Sequence, residues 1–259
     1  MTTRFKPLAT AALAASLAFC GAAQAAPATG VKNIVLVHGA FADGSGWRAV
    51  SDILNRDGYH VSIVQPPETS LEDDVAATNR ILDQQDGPTV LVGHSYGGVV
   101  ITEAGNNAHV KALVYVAAFQ PDAGESLASL SATMPAVSKS IAPSPDGFLY
   151  IDPAHFHADF AADLPTATAD FMARSQVGLA AKAAGTPVTD PAWKSKPTYA
   201  IVAKNDHAIN PDLERSMYKR SNSIVTEVPG SHVIYMSQPK AIAAVIERAA
   251  NATETVKTQ

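Results

Sequence analysis

Six short, β-branched apolar runs recur along this chain: NIVLVHG, HVSIVQ, TVLVGHS, ALVYVAAF, TYAIVAK and SIVTEV, starting at residues 33, 60, 89, 112, 198 and 223. Continuous apolar runs of this length read as strands covered on both faces, which helices packed on a parallel sheet provide. Helical patterns lie between them, at 46–57, 71–86, 96–107, 211–221 and 238–250. The second opens TSLEDDVAATNRIL, with Ser70 or Thr69 as cap, acids in the first turn and apolar residues at helical spacing. Strand and helix in alternation predict an α/β architecture, a mostly parallel six-stranded sheet flanked by helices.

The rhythm breaks once. Between ALVYVAA and TYAIVAK lie residues 119–197, 79 positions rich in Pro, Ser, Ala and aromatics. A connection that long is disordered or an inserted functional element. DGFLYIDPAHF and TADFMARSQVGLAAKA hold enough apolar residues to pack, so an ordered lid is expected, with some of Phe148, Tyr150, Phe156, Phe160, Phe171 and Met172 lining a pocket. The chain then divides into a leader (1–25), a first core part (26–118), the lid (119–197) and a second core part (198–259).

The leader carries Arg4 and Lys6, an apolar stretch too short to span a bilayer comfortably, and Ala23-Gln24-Ala25. It reads as a secretory signal cleaved after Ala25, with export to the periplasm or medium and no membrane insertion afterwards. Its removal leaves 234 residues, enough for one large α/β domain. Cys20, the single cysteine, departs with it, leaving no disulfide and no thiol chemistry. Loss of Arg4 and Lys6 takes the formal net charge from −5 to −7, and no basic patch stands out, so nucleic acid is not an expected partner. Composition assigns no oligomeric state.

Gly93-His94-Ser95-Tyr96-Gly97 is a G-x-S-x-G between an expected strand and an expected helix, the setting in which a sharp turn raises a nucleophilic serine. A serine needs a base, and the base an orienting acid. Sites in parallel sheets form at the carboxyl ends of strands. That removes His60 and His109, which precede strands. His155 and His157 fall in the lid, His94 points to the other side of the turn, and His38 braces the loop it begins. His232, in EVPGSHVIYM after the last run, is the expected base. Asp206, in AKNDHAINP, is the expected acid, with Asp122 in reserve, and adjacent His207 reads as a loop residue. The order Ser95, Asp206, His232 is the one that accompanies this serine turn. Backbone N–H groups of Ala40 and Tyr96 are the expected oxyanion donors, with Gly39 holding the first loop open. Gly39, Phe41, Phe119 and Val233 are the expected substrate contacts. Gly44-Ser45-Gly46-Trp47-Arg48-Ala49 formally fits a dinucleotide fingerprint, but starts well past the strand end and carries bulky Trp47. His155 and His157 lack further ligands for a metal. No cofactor and no metal are expected.

VLVHGAFADGSGW, VLVGHSYGGVV, KNDHAINPDL and VPGSHVIYMSQP together resemble the α/β-hydrolase group of plant methyl esterases and hydroxynitrile lyases, with secreted bacterial relatives. The resemblance spans essentially the whole chain after the leader. It implies the α/β-hydrolase fold without its two usual leading strands, Ser95 as nucleophile, His232 as base, Asp206 as acid, and Ala40 and Tyr96 as oxyanion donors. Lyases of the group carry Thr after the first-strand His and Lys after the catalytic His. Here those positions are Gly39 and Val233, which favours hydrolysis of a small ester through an acyl-enzyme. The alternatives are a cofactor-free lyase and a non-catalytic ligand-binding relative.

Overall fold

The computed structural model describes residues 1–2 and 30–252; the expected leader falls outside them beyond its first two positions. The first half runs β1 (Asn33–Val37), α1 (Arg48–Arg56), β2 (His60–Val64), α2 (Leu71–Leu82), β3 (Thr89–Ser95), α3 (Gly97–Ala104) and β4 (Val110–Ala118). The segment expected as a lid follows, with α4 (Leu127–Thr133), β5 (Ile141–Pro143), β6 (Phe148–Ile151), α5 (Pro153–Phe160), α6 (Thr166–Ser175), β7 (Leu179–Ala180) and α7 (Ala181–Gly185). The chain returns through β8 (Thr198–Ala203), α8 (Pro211–Arg220), β9 (Ile224–Val228), α9 (Ile234–Ser237) and α10 (Pro239–Ala252).

All six core strands are parallel, in the order β2-β1-β3-β4-β8-β9. The chain starts beside the middle, steps out to β2, then returns past β1 to β3. Strand order therefore reverses between β1 and β3, and a crevice opens at their carboxyl ends. Those ends carry Gly39 and Ser95. β1, β3 and β8 are buried at every position. Apart from Lys111 at the start of β4, exposure falls at the sheet edges, where β2 is half-buried and Ile224 and Val225 of β9 are exposed. An edge strand has one neighbour and incomplete helix cover.

Helices sit where their spacing placed them, with trimmed ends. Ser70 caps α2 by accepting from Asp73 N at 3.1 Å, and the helix stops at Leu82 ahead of the Gly87-Pro88 turn rather than at 86. The expected helix at 46–57 begins as a 3-10 turn, Gly44–Trp47, capped by Asp43. The lid segment forms four helices and an antiparallel sheet, β5-β6-β7. It is stitched to the core by backbone bonds from Phe41 N to Val177 O and from Ala180 N to Glu68 O, both 2.9 Å, and by Trp193 Nε1 donating to Pro121 O at 2.8 Å. Phe156 and Phe160 pack ring on ring at 4.9 Å inside it.

Candidate active site

Ser95 ends β3 with φ 55, a left-handed conformation that residues with a Cβ rarely adopt. The β3–β4 register shifts between His94 and Ser95, so the strand ends in a kink. The chain then enters α3 within two residues. A Cβ at Gly93 would lie 2.5 Å from the carbonyl oxygen of Gly97, so only glycine lets the turn close this tightly. Elsewhere such strain clusters at functional sites, because surrounding structure must hold it.

The Ser95 Oγ hydroxyl donates to His232 Nε2 at 2.8 Å, and His232 Nδ1–H donates to Asp206 Oδ2 at 2.6 Å. Asp206 Oδ1 accepts from Ala208 N at 2.7 Å and Ile209 N at 2.8 Å, which locks the carboxylate in the loop after β8. All three side chains are buried. Asp122, the reserve acid, is paired with Lys194 outside this cluster. His207 is half-buried in the Asp206 loop, its carbonyl accepting from Ser138 N at 2.9 Å.

The His232 ring lies between two others, with ring centres 4.7 Å from His94 and 4.9 Å from Phe160. His94 therefore does more than face away from Ser95. Burial drives its imidazole well below the usual range, so it is neutral. Its Nε2–H donates to the His232 carbonyl at 3.0 Å, and Nδ1 carries no proton and no partner. From the lid, Asp163 Oδ2 accepts from Ser231 N at 2.8 Å and Ser237 Oγ at 2.7 Å, and Oδ1 accepts from Ser231 Oγ. Burial opposes its charge, but these hydrogen bonds outweigh burial and hold the carboxyl below the usual range. Neither His94 nor Asp163 stands out in the sequence as a support for His232.

Among the described residues, the backbone N–H groups of Ala40, next to Gly39 in the β1 loop, and of Tyr96, directly after Ser95, enter no turn or loop hydrogen bond to another backbone group. A Cβ on Gly39 would stand 2.5 Å from Ser95 Cβ and 3.1 Å from Tyr96 N, so the β1 loop and the serine turn touch there. The Tyr96 hydroxyl points the other way, donating to Asp74 Oδ2 at 2.7 Å, while Asp74 Oδ1 accepts from Glu68 N at 2.7 Å. His38 Nδ1 lies 3.0 Å from Gly39 O and 3.5 Å from Glu68 Oε1. Burial pushes Glu68 up to about 7.

Ser95 and His232 open onto a cavity with about 440 Å3 of empty space including its mouth. Its wall is Ala40, Phe41, Phe119, Leu127, Ile141, Leu149, Phe160, Leu179, Ala208 and Ile209, with Ser131 as a further hydroxyl. Phe41 and Phe119, two of the four expected substrate contacts, are part of that wall. Gly39 and Val233 do not line it: Gly39 is packed against the serine turn, and Val233 is fully buried at the start of α9. Of the lid aromatics, Phe160 reaches this cavity, whereas Phe171 and Met172 line a neighbouring one that shares Phe41. Among the described residues, no three metal-ligating side chains converge and no helix is long and apolar enough to cross a membrane.

The comparisons agree with this architecture. The sequence model of the alpha/beta hydrolase family matches residues 34–245. A carbendazim hydrolyzing esterase of a Nocardioides species is 35% identical over 115 residues, 39% of this chain. That match spans about half of the curated relative, 47% of its length. A pyrethroid hydrolase from Sphingobium faniae JZ-2 superposes with a TM-score of 0.73 at 23% identity, covering 87% of this chain and 99% of its own. An extracellular α/β-hydrolase of a Paenibacillus species, described as homologous in structure and function to a tobacco salicylic acid binding protein, superposes at 0.70 with 18% identity, covering 84% and 98%. From strand order, serine turn and family match alike, the chain belongs to the α/β hydrolase family.

Proposed function

We propose that this protein is a serine esterase that cleaves small, uncharged carboxylic esters through an acyl-enzyme. The observation that carries the reading is the unbroken hydrogen-bond chain from Ser95 through His232 to Asp206, opening onto a cavity without a charged side chain in its wall. The cavity is narrow and mostly apolar, which suits a compact substrate. The names of the relatives, an esterase and a hydrolase, lend support.

In this mechanism Ser95 Oγ attacks the ester carbonyl as its proton passes to His232 Nε2. Asp206 keeps the imidazole in the tautomer with Nδ1–H and steadies the imidazolium. The Ala40 and Tyr96 N–H groups meet the oxyanion, each such donor being worth roughly 3–4 kcal/mol in the transition state. The C–O bond then breaks, the imidazolium protonates the departing alkoxide, and an alcohol leaves. Water, deprotonated by His232, attacks the acyl-enzyme and releases the acid and Ser95.

Cyanohydrin cleavage is disfavoured by the same positions that distinguish the lyases. A hydroxyl-bearing side chain at Gly39 has no room beside Ser95, and Val233 supplies no cation. We also propose that residues 1–25 direct export. The test of the activity is a panel of p-nitrophenyl and alkyl esters of graded acyl and alcohol length, run beside mandelonitrile. Hydrolysis of short neutral esters without cyanide release is expected. Cyanide release with no ester turnover would replace the reading with a lyase, and binding without turnover with a ligand-binding relative.

A further inference from the structure

Behind the Asp206 loop lies a second carboxyl that the proposed reaction does not use. Glu214, in the first turn of α8, is fully buried. Its Oε2 accepts from Ala203 N, the last residue of β8, at a long 3.3 Å, and its Oε1 meets no donor. Ala203 O in turn accepts from Asp206 N at 3.2 Å, which sets the Glu214 carboxyl against the Asp206 turn, where the two carboxyls interact. Two adjacent carboxyls closed off from water do not both ionise.

The hydrogen bonds identify which one keeps the proton. A carboxylate offers about four lone-pair positions, and three on Asp206 are taken by N–H donors: Ala208, Ile209 and His232. A proton on Asp206 would cancel the charge that these three donors stabilise, whereas Glu214 has a single long N–H contact. Glu214 has an oxygen to spare, and burial and the Asp206 charge both push its carboxyl well above the usual carboxylate range. The other charged group that bears on it is Arg215 of its own helix, whose guanidinium is held at the surface by Glu227 and Asp212. Tyr218, one turn further on, feels Glu214 but is bound to both backbone groups of Ala118.

We propose that Glu214 is a positioning residue for the catalytic acid, carrying a proton on Oε1 and donating it to the remaining lone pair of Asp206. The bond fixes the carboxylate that orients His232 and limits the buried pair to one negative charge. This role rests on the reading of Ser95, His232 and Asp206 given above. A second charge there would repel Asp206 and draw its carboxylate out of line with His232 Nδ1.

Two variants separate positioning from packing. The amide of Glu214→Gln can accept from Ala203 N and donate to Asp206, so kcat should stay within about threefold of wild type. Glu214→Leu removes the donor, and kcat should fall about tenfold to a hundredfold with KM little changed. Two further readouts need no turnover and so are independent of the esterase reading. Infrared difference spectra at pH 7, in a Ser95→Ala background, should show a protonated-carboxyl C=O band that Glu214→Gln removes. A carboxyl raised on folding contributes stability that is complete below its ordinary value of 4.5 and lost as pH rises. The Tm of Glu214→Gln minus that of wild type should therefore widen from pH 4.5 to pH 8. No band and a pH-independent Tm difference would overturn the proton placement. Equal kcat losses in the Gln and Leu variants would overturn the positioning role.

Discussion

At Ser95 a left-handed backbone, φ 55, aims a hydroxyl at His232 Nε2. Ser95→Ala, His232→Ala and Asp206→Asn should each lower kcat by about 10⁴, with the Asp206 change least severe and the losses far from additive, because the three act as one unit. Steady-state kinetics of single and double variants measure this. Activity retained by Asp206→Asn but lost in Asp122→Asn would move the acid to Asp122. Gly39→Thr is a sharper probe, since its Cβ would lie 2.5 Å from Ser95 Cβ and 2.7 Å from His94 O. Overpacking of this kind costs about 1–3 kcal/mol, roughly 3–10 °C in Tm for a domain of this size. The variant should lose ester turnover and release no cyanide; a stable variant with lyase activity would show that the loop yields more than its packing suggests. Ser95, Asp206 and His232 were legible because each sits in a short motif at a strand end or just past one. Gly39 and Val233, the other two expected substrate contacts, stand outside the cavity wall, because Gly39 has no side chain to present and Val233 is buried at the start of α9. His94 reaches His232 across 138 positions and Asp163 reaches Ser231 across 68, and no local pattern encodes such contacts.

Among the elements, the lid segment does more than cover the cavity: through Asp163 it grips the loop that carries His232. Asp163→Ala leaves Ser231 N and two hydroxyls without their acceptor, a loss on the order of 1–3 kcal/mol. Lower Tm and lower kcat are expected together. A carboxyl lowered on folding stabilises fully above its ordinary value of 3.8, and that contribution disappears as pH falls through the lowered value. The Tm gap between wild type and Asp163→Ala should thus be wide at neutral pH and close under acid, as thermal melts against pH will show; a constant gap would deny Asp163 its charge. Phe41, held at φ 65, is the wall shared by the two cavities. Phe41→Ala should join them and shift the preferred ester toward longer chains, measured as kcat/KM across the panel. Core strands were legible from continuous apolar runs, and helices from cap and period. The lid's division into four helices and a small sheet was not, because its short elements take their form from packing on Phe160, Phe41 and the core edge rather than from a repeating pattern.

As a whole molecule the chain sets the segment between β4 and β8 over the core at Ser95 and His232. Export should yield a mature protein beginning at Ala26; N-terminal sequencing of secreted material decides this, and an intact Met1 on exported protein would refute cleavage after Ala25. The central claim, that Ser95 becomes covalently acylated with His232 as its base, is open to one direct measurement. Intact-protein mass spectrometry after exposure to a fluorophosphonate, followed by peptide mapping, counts modified serines and locates them. One adduct per chain is expected, on Ser95, forming quickly in wild type, slowly in His232→Ala and not at all in Ser95→Ala. A folded wild-type protein that stays unmodified, or an adduct that maps to another residue, would contradict the account.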